Sequence, residues 1–243
     1  MFDRHSLNPL ITPAQIRPSR PDYEVIGTFN AGAVQVGAET VLLVRVAERP
    51  LDTTPGWIAC PYLNTDGEIE LLRIRADDPA YDTRDPRFIR HPATSSVYLT
   101  SISHIRRARS ADGVRFAVDD QPWLQAATPY EAFGVEDARI TPLDGCYYVN
   151  YSAVSGGGIA TGLASTTDFE TVTRHGIIFP PSNRDVAIFP ERVNGLYTCY
   201  HRPMPGEFGA YSIWLATSPD LVRWGDHRLV AQGSSTGWDS GRV

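Results

Sequence analysis

Apolar positions along the chain fall in short runs of strand length, separated by turn residues. Residues 34–36 and 40–46 are two such runs with Gly37 between them. Residues 140–151 hold another pair around Asp144 and Gly145, and residues 192–200 a third around Asn194 and Gly195. Asp-Gly and Asn-Gly supply the positive φ angles of a tight hairpin, so each segment predicts two antiparallel strands. No run keeps a 3.6-residue apolar period long enough for an extended helix. The 20 glycines and 19 prolines punctuate the chain too often for one.

A second pattern recurs between the hairpins. Residues 108–116, 164–172 and 216–224 each give a small residue, a Ser/Thr-rich turn, an aspartate, and an apolar residue four positions on. The aspartates are Asp112, Asp168 and Asp220, about 56 and about 52 residues apart. Residues 63–69, with Asp66, read as a weaker copy. Hairpin, strand, Ser/Thr-Asp turn and strand make a unit of roughly 50 residues, which is one four-stranded propeller blade. The pattern therefore predicts an all-β chain of about four blades, with residues 1–243 as a single β-propeller domain. A β-sandwich with coincidental turns is the competing all-β reading. Residues 237–243 read as the lead-in to another unit, so a C-terminal blade is expected to be missing or incomplete.

Composition narrows the function. With 42% hydrophobic residues, 243 residues can bury a sizeable core. The net charge of −6 argues against nucleic acid, which needs a basic footprint. No apolar run approaches the roughly 20 residues of a membrane span. Residues 1–19 lack the apolar stretch of a signal peptide, so a cytoplasmic protein without a membrane partner is expected. Cys60, Cys146 and Cys199 show no CxxC spacing, which predicts neither a disulfide framework nor a zinc knuckle. Cys146 and Cys199 lie in aromatic-rich runs and are expected to be packing residues. No metal or cofactor cluster of the usual spacing occurs. The chain contains no lysine; all 22 basic residues are arginine, so any cationic site must be built from arginine or histidine.

The densest polar segment is 133–141, where Glu136 and Asp137 stand beside Arg139 ahead of a strand. It reads either as a catalytic carboxylic acid with an orienting arginine or as a structural turn in which Arg139 pairs with an acid. Arg184, in 180–192, and His201 with Arg202 could converge on an anion, since a guanidinium presents a rigid fork to phosphate or carboxylate; solvated loop arginines are the alternative. Arg45 interrupts an apolar strand, where burial demands a partner. Trp238 and its polar neighbours, Asp239 among them, offer an aromatic face to a sugar ring. No GxSxG, HExxH, P-loop or helix-opening GxGxxG is present.

Taken together, these segments resemble glycoside hydrolase family 130, the β-mannoside phosphorylases and related β-mannosidases. The carriers run over nearly the whole chain: 8–12, 29–33, 43–46, 134–141, 179–181, 183–185, 189–191, 201–203, 213–216, 218–221, 224–227 and 238–240. The resemblance implies a five-bladed propeller. It implies that Asp137, in Glu-Asp-Ala-Arg where the family has Glu-Asp-Pro-Arg, is the proton donor, acting through a sugar hydroxyl. It implies inverting phosphorolysis of β-mannobiose or β-manno-oligosaccharides to α-mannose 1-phosphate. The Lys of the family's Asn-Lys-Asp falls on Arg184, and its phosphate-binding histidine on His201. Arg184, His201 and Arg202 are thus the phosphate-binding candidates. Asn30, Arg45, Glu136, Arg139, Asp185, Trp238 and Asp239 are the candidates for binding sugar. Inorganic phosphate is the expected co-substrate, with no cofactor or metal; assembly into a homo-oligomer is left open.

One departure favours a competing reaction. Residues 152–163 carry none of the arginines that the phosphorylases place after the acid. Hydrolysis by water is therefore an alternative, with Glu136, Glu191 and Glu207 as candidate bases, because an inverting hydrolase needs a second carboxylate. A non-catalytic carbohydrate-binding propeller is the third reading.

Overall fold

The computed structural model describes residues 4–205, 209–234 and 236–238. The described residues are all-β apart from two single turns of 3-10 helix, Pro13–Gln15 and Pro129–Glu131. It divides into two compact units, one of residues 1–138 with 154–156, the other of 139–153 with 157–243.

The first unit opens with β1 (Tyr23–Val36) and β2 (Glu39–Pro50), a long hairpin turned by Gly37 at φ 58°. Its sheet is completed by β7 (Ile102–Ser110) and β8 (Ala117–Val118) in the order β1-β2-β7-β8. Between β2 and β7 the chain forms two separate two-stranded sheets. These are β3 (Trp57–Leu63) with β4 (Ile69–Arg75), and β5 (Phe88–His91) with β6 (Ser96–Leu99). The weaker repeat around Asp66 is the β3–β4 turn, and it is closed differently. Asn64 Oδ1 accepts the N–H groups of Asp66 and Glu68, so Asn64 does the work that the aspartate does elsewhere. This segment is an insertion in the first sheet, not a four-stranded unit. The described residues contain three four-stranded sheets, where the repeat count predicts about four.

The other two sheets follow the predicted order. β9 (Val135–Leu143), β10 (Cys146–Ser155), β11 (Gly158–Thr166) and β12 (Thr173–Phe179) form one antiparallel meander. β13 (Asn183–Ile188), β14 (Tyr197–Pro203), β15 (Ser212–Ser218) and β16 (Gly225–Gln232) form the next. Asp144 and Gly145, at φ 52° and 78°, turn β9 into β10, the two positive φ values a type I′ turn requires.

The three repeated aspartates join third strand to fourth in every four-stranded sheet. Asp112 Oδ1 accepts the N–H of Val114 and Arg115, Asp168 Oδ1 that of Glu170 and Thr171, and Asp220 Oδ1 that of Val222 and Arg223. The hydroxyl two residues earlier, on Ser110, Thr166 or Ser218, accepts a further turn N–H. These bonds satisfy donors that a tight turn would otherwise leave open.

In the second unit, Leu143, Leu163, Ile178, Val186, Ile188, Cys199, Ala216 and Leu221 form the core. Cys199 is thus a packing residue, and Cys146 is half-buried with its thiol toward the Thr166 carbonyl. In the first unit Val44, Val46 and Ala108 pack with Ile16. A charged group lies deep there. Arg106, 1% exposed, donates from Nη2 to Glu48 at 3.5 Å, from Nε to His104 and from Nη1 to the Asp119 carbonyl. Glu48 in turn accepts the Ser19 N–H, so its charge is balanced and bonded, the condition for burying it. Burial, then the Arg106 charge, push the His104 imidazole down to about 3, which leaves it neutral and able to accept from Arg106.

Among the described residues, no helix is long and apolar enough to cross a membrane.

Candidate active site

Two polar clusters form, one in each unit. The first gathers Asn30, Arg45, Ser103, Glu136 and Asp137. Arg45 lies on β2 opposite Phe29 of β1, whose ring stacks on the guanidinium at 4.6 Å. The ladder between β1 and β2 shifts register between Phe29 and Gly32, and Asn30 takes φ 51° there. A bulge of this kind re-aims a side chain that regular pleating would send elsewhere. Asn30 Nδ2 consequently reaches Asp137 Oδ1 at 2.9 Å across 107 positions of sequence.

Arg45 is the hub. Its Nη1 donates to Asp137 Oδ1 at 3.1 Å, its Nη2 to Glu136 Oε1 at 2.6 Å, and its Nε to Ser103 Oγ at 3.1 Å. The side chains of Arg45, Glu136 and Asp137 are only 17%, 9% and 13% exposed. The arginine that orients the acids is therefore Arg45, which the sequence marks as a buried charge in need of a partner and, through the family resemblance, as a candidate for binding sugar.

The strand that carries the acids is anchored just before it begins. Glu131 Oε2 accepts the N–H groups of Ala127 and Thr128, and Gly134 N–H donates to the Glu131 carbonyl. Gly134, at φ +108°, bridges in parallel to Ser103. A Cβ at Gly134 would fall against the Ser103 carbonyl oxygen and 2.6 Å from its amide nitrogen. Only glycine permits both that φ and that approach. Asp137 itself holds φ 52°, a left-handed conformation uncommon for a residue with a side chain.

The second cluster centres on Asp185, at φ 57° in the register shift between Arg184 and Ala187 of the β13–β14 ladder. Its carboxylate accepts a hydrogen bond from Arg202. Arg184 Nε stands 3.7 Å away and Arg139 Nη2 4.0 Å away. Burial pushes the Asp185 carboxyl up, but the Arg202 hydrogen bond and the charges of Arg184, Arg202 and Arg139 outweigh it and hold the group below its ordinary value. Three guanidinium groups stand around one carboxylate. Arg139 belongs here, beside Asp185, with about half of its side chain exposed.

His201, the residue before Arg202 on β14, is buried among Asn183, His227 and Phe179. It stacks on Phe179 at 4.6 Å, and Trp224 stacks on the same phenyl ring. Its Nδ1 lies 2.9 Å from Asn183 Nδ2 and its Nε2 3.1 Å from His227 Nδ1. An amide nitrogen can only donate, so Nδ1 accepts and Nε2–H donates to His227. Burial, then the proximity of His227, push His201 down to about 4. It is a neutral hydrogen-bonding group near pH 7, and the arginines carry the positive charge.

Trp238 is 97% exposed. Glu191 is exposed on the surface. Asp239 and Glu207 lie outside the described residues. No group of three or more His, Cys, Asp or Glu side chains among the described residues is placed to hold a metal ion. Ser103, Phe29, Asn183 and His227 carry contacts that the sequence reading gives no role; Phe29, Asn183 and His227 fall within the motif segments, whereas Ser103 has no local signature.

Comparison with known proteins agrees with these motifs. Residues 87–241 match the family model described as beta-1,4-mannooligosaccharide phosphorylase. A beta-1,2-mannobiose phosphorylase of Listeria innocua is 46% identical over 243 residues, 99% of this chain and 68% of that protein. A 1,2-beta-oligomannan phosphorylase of Thermoanaerobacter is 34% identical over 60% of this chain and 48% of its own length. The chain thus spans about half to two thirds of the length of these relatives. The solved structure of beta-1,2-mannobiose phosphorylase from Listeria innocua with beta-1,2-mannobiose superposes with a TM-score of 0.94 at 46% identity, over 98% of this chain and 69% of that one. The chain belongs to glycoside hydrolase family 130, the mannoside phosphorylase family.

Proposed function

We propose that the protein cleaves β-1,2-mannosidic bonds by phosphorolysis, taking β-1,2-mannobiose and inorganic phosphate to α-mannose 1-phosphate and mannose. The identity of 46% along 99% of the chain to a protein named for that reaction carries the reading. The family description names β-1,4 bonds, but the Listeria and Thermoanaerobacter relatives are both named for β-1,2 linkages. The three four-stranded sheets are read as propeller blades.

Asp137 is the proton donor. Its Oδ1 accepts from both Asn30 and Arg45, which fixes the orientation of the carboxyl. Phosphate oxygen attacks the anomeric carbon, the bond from that carbon to the bridging oxygen breaks, and the proton from Asp137 ends on the departing sugar. Attack opposite the leaving group inverts the centre. Phosphate is already an anionic nucleophile, so no second carboxylate is needed to activate water. Glu136 is engaged with Arg45, which suits an orienting role. The arginines around Asp185 bind the phosphate by charge-assisted bonds; His201, whose two ring nitrogens are engaged by Asn183 and His227, contributes by holding those side chains in place. Phosphate is the co-substrate, and no cofactor takes part.

Turnover of β-1,2- and β-1,4-mannobiose in phosphate buffer, followed as mannose 1-phosphate, tests the linkage. The β-1,2 isomer is expected to react at least tenfold faster. Preference for the β-1,4 isomer would overturn that assignment.

A further inference from the structure

We propose that Ser103 is a positioning residue for the reaction: its hydroxyl fixes the rotation of the Arg45 guanidinium, and through it the placement of Glu136 and Asp137. The inference rests on the phosphorolysis reading above. Arg45 has a long, flexible stem, and two Nη contacts alone would let its fork pivot between carboxylates. Ser103 Oγ accepts from Nε at 3.1 Å, on the third edge of the same planar group. The side chain of Phe29 covers one face of that plane. With three edges bonded and one face covered, the guanidinium has a single orientation, the condition for holding a reacting carboxyl within a fraction of an ångström.

The placement of Ser103 is itself fixed by backbone. Its strand, β7, pairs with β2 so that Ser103 faces Ala47, two positions beyond Arg45 and on the same side of the sheet. Its main chain bridges Gly134, three residues before Asp137. Ser103 thus joins the strand that carries the arginine to the segment that launches the acids. It is 3% exposed, so water does not substitute readily for its hydroxyl.

A pair of near-isosteric variants isolates the hydroxyl: Ser103→Thr keeps it, and Ser103→Val replaces it with a methyl group. Ser103→Val is expected to lower kcat about tenfold or more relative to Ser103→Thr, the loss typical of a hydrogen bond to a charged group. The KM values for mannobiose and phosphate are expected to stay within about twofold. In an Arg45→Lys background, which has no Nε fork, the Thr and Val variants should perform alike. Equal kcat in the first pair, or the same loss in both backgrounds, would overturn the proposal. Exchange of the Arg45 Nε proton with water, followed by nuclear magnetic resonance, reads the contact without turnover. It should be about tenfold faster in Ser103→Val than in Ser103→Thr, and equal rates would also overturn the proposal. An Asp137→Asn control separates the two claims, since full activity in that variant would refute the phosphorolysis mechanism whatever Ser103 does.

Discussion

Arg45 and Asp185 are opposite solutions to one problem. Arg45 is a cation among acids, bonded to Glu136 and Asp137; Asp185 is an acid among cations, with Arg139, Arg184 and Arg202 around it. In the first cluster one guanidinium orients two carboxylates, a place suited to proton chemistry; in the second three guanidinium groups stand around one carboxylate, a place suited to an anion. Arg184→Ala is therefore expected to raise the KM for phosphate about tenfold while leaving that for mannobiose within about twofold. Initial-rate kinetics with each substrate varied in turn would check it. An equal rise in both would assign Arg184 to the sugar or to the fold.

At the scale of elements, the two clusters depend on places where strands depart from regularity. Asn30 and Asp185 each sit in a register shift, and Asp137 follows a glycine whose φ and close approach exclude a side chain. Gly134→Ala forces both strain and a clash with Ser103, and is expected to destabilise the protein by about 2–4 kcal/mol. Denaturant unfolding would measure it; stability equal to the parent would contradict this account of the β7–β9 junction. The hairpins and Asp turns were legible in the sequence because their chemistry is local. Asp144 with Gly145 sets a turn, and Asp112, Asp168 and Asp220 each bind N–H groups two and three residues away. The insertion of β3–β6 was not legible. Pairing of β2 with β7 spans about 50 residues, and a turn closed by Asn64 imitates the aspartate repeat without belonging to it.

Across the whole molecule, buried neutral histidines make stability depend on acid. His201 is held down at about 4 and His104 at about 3, against 6.5 for the ordinary side chain. Their neutral forms are favoured by folding, so the stabilisation is complete above pH 6.5. It is lost as pH falls through 6.5 toward 4 and 3, because the unfolded chain takes up the protons first. The two losses add, each growing by about 1.4 kcal/mol for every pH unit between 6.5 and the lowered value. Unfolding midpoints measured from pH 7 to pH 4 should fall steadily, and a midpoint that stays level or rises would contradict the assignment of His201 as buried and neutral. Asp185, with its carboxyl held low, adds a further loss in the same direction at more acid pH. The residues of this cluster could be named from the sequence through the motifs around Asn183 and His201. Their protonation could not, because it follows from packing against Phe179 and His227. The partners of Arg45, which come from strands 58 to 92 positions away, were likewise a matter of tertiary structure.

Product analysis on β-1,2-mannobiose with and without inorganic phosphate separates phosphorolysis from hydrolysis. Mannose 1-phosphate, in the α configuration, is expected only when phosphate is present, with no appreciable turnover without it. Free mannose released at equal rates in both conditions would contradict phosphorolysis and assign the protein to the hydrolases.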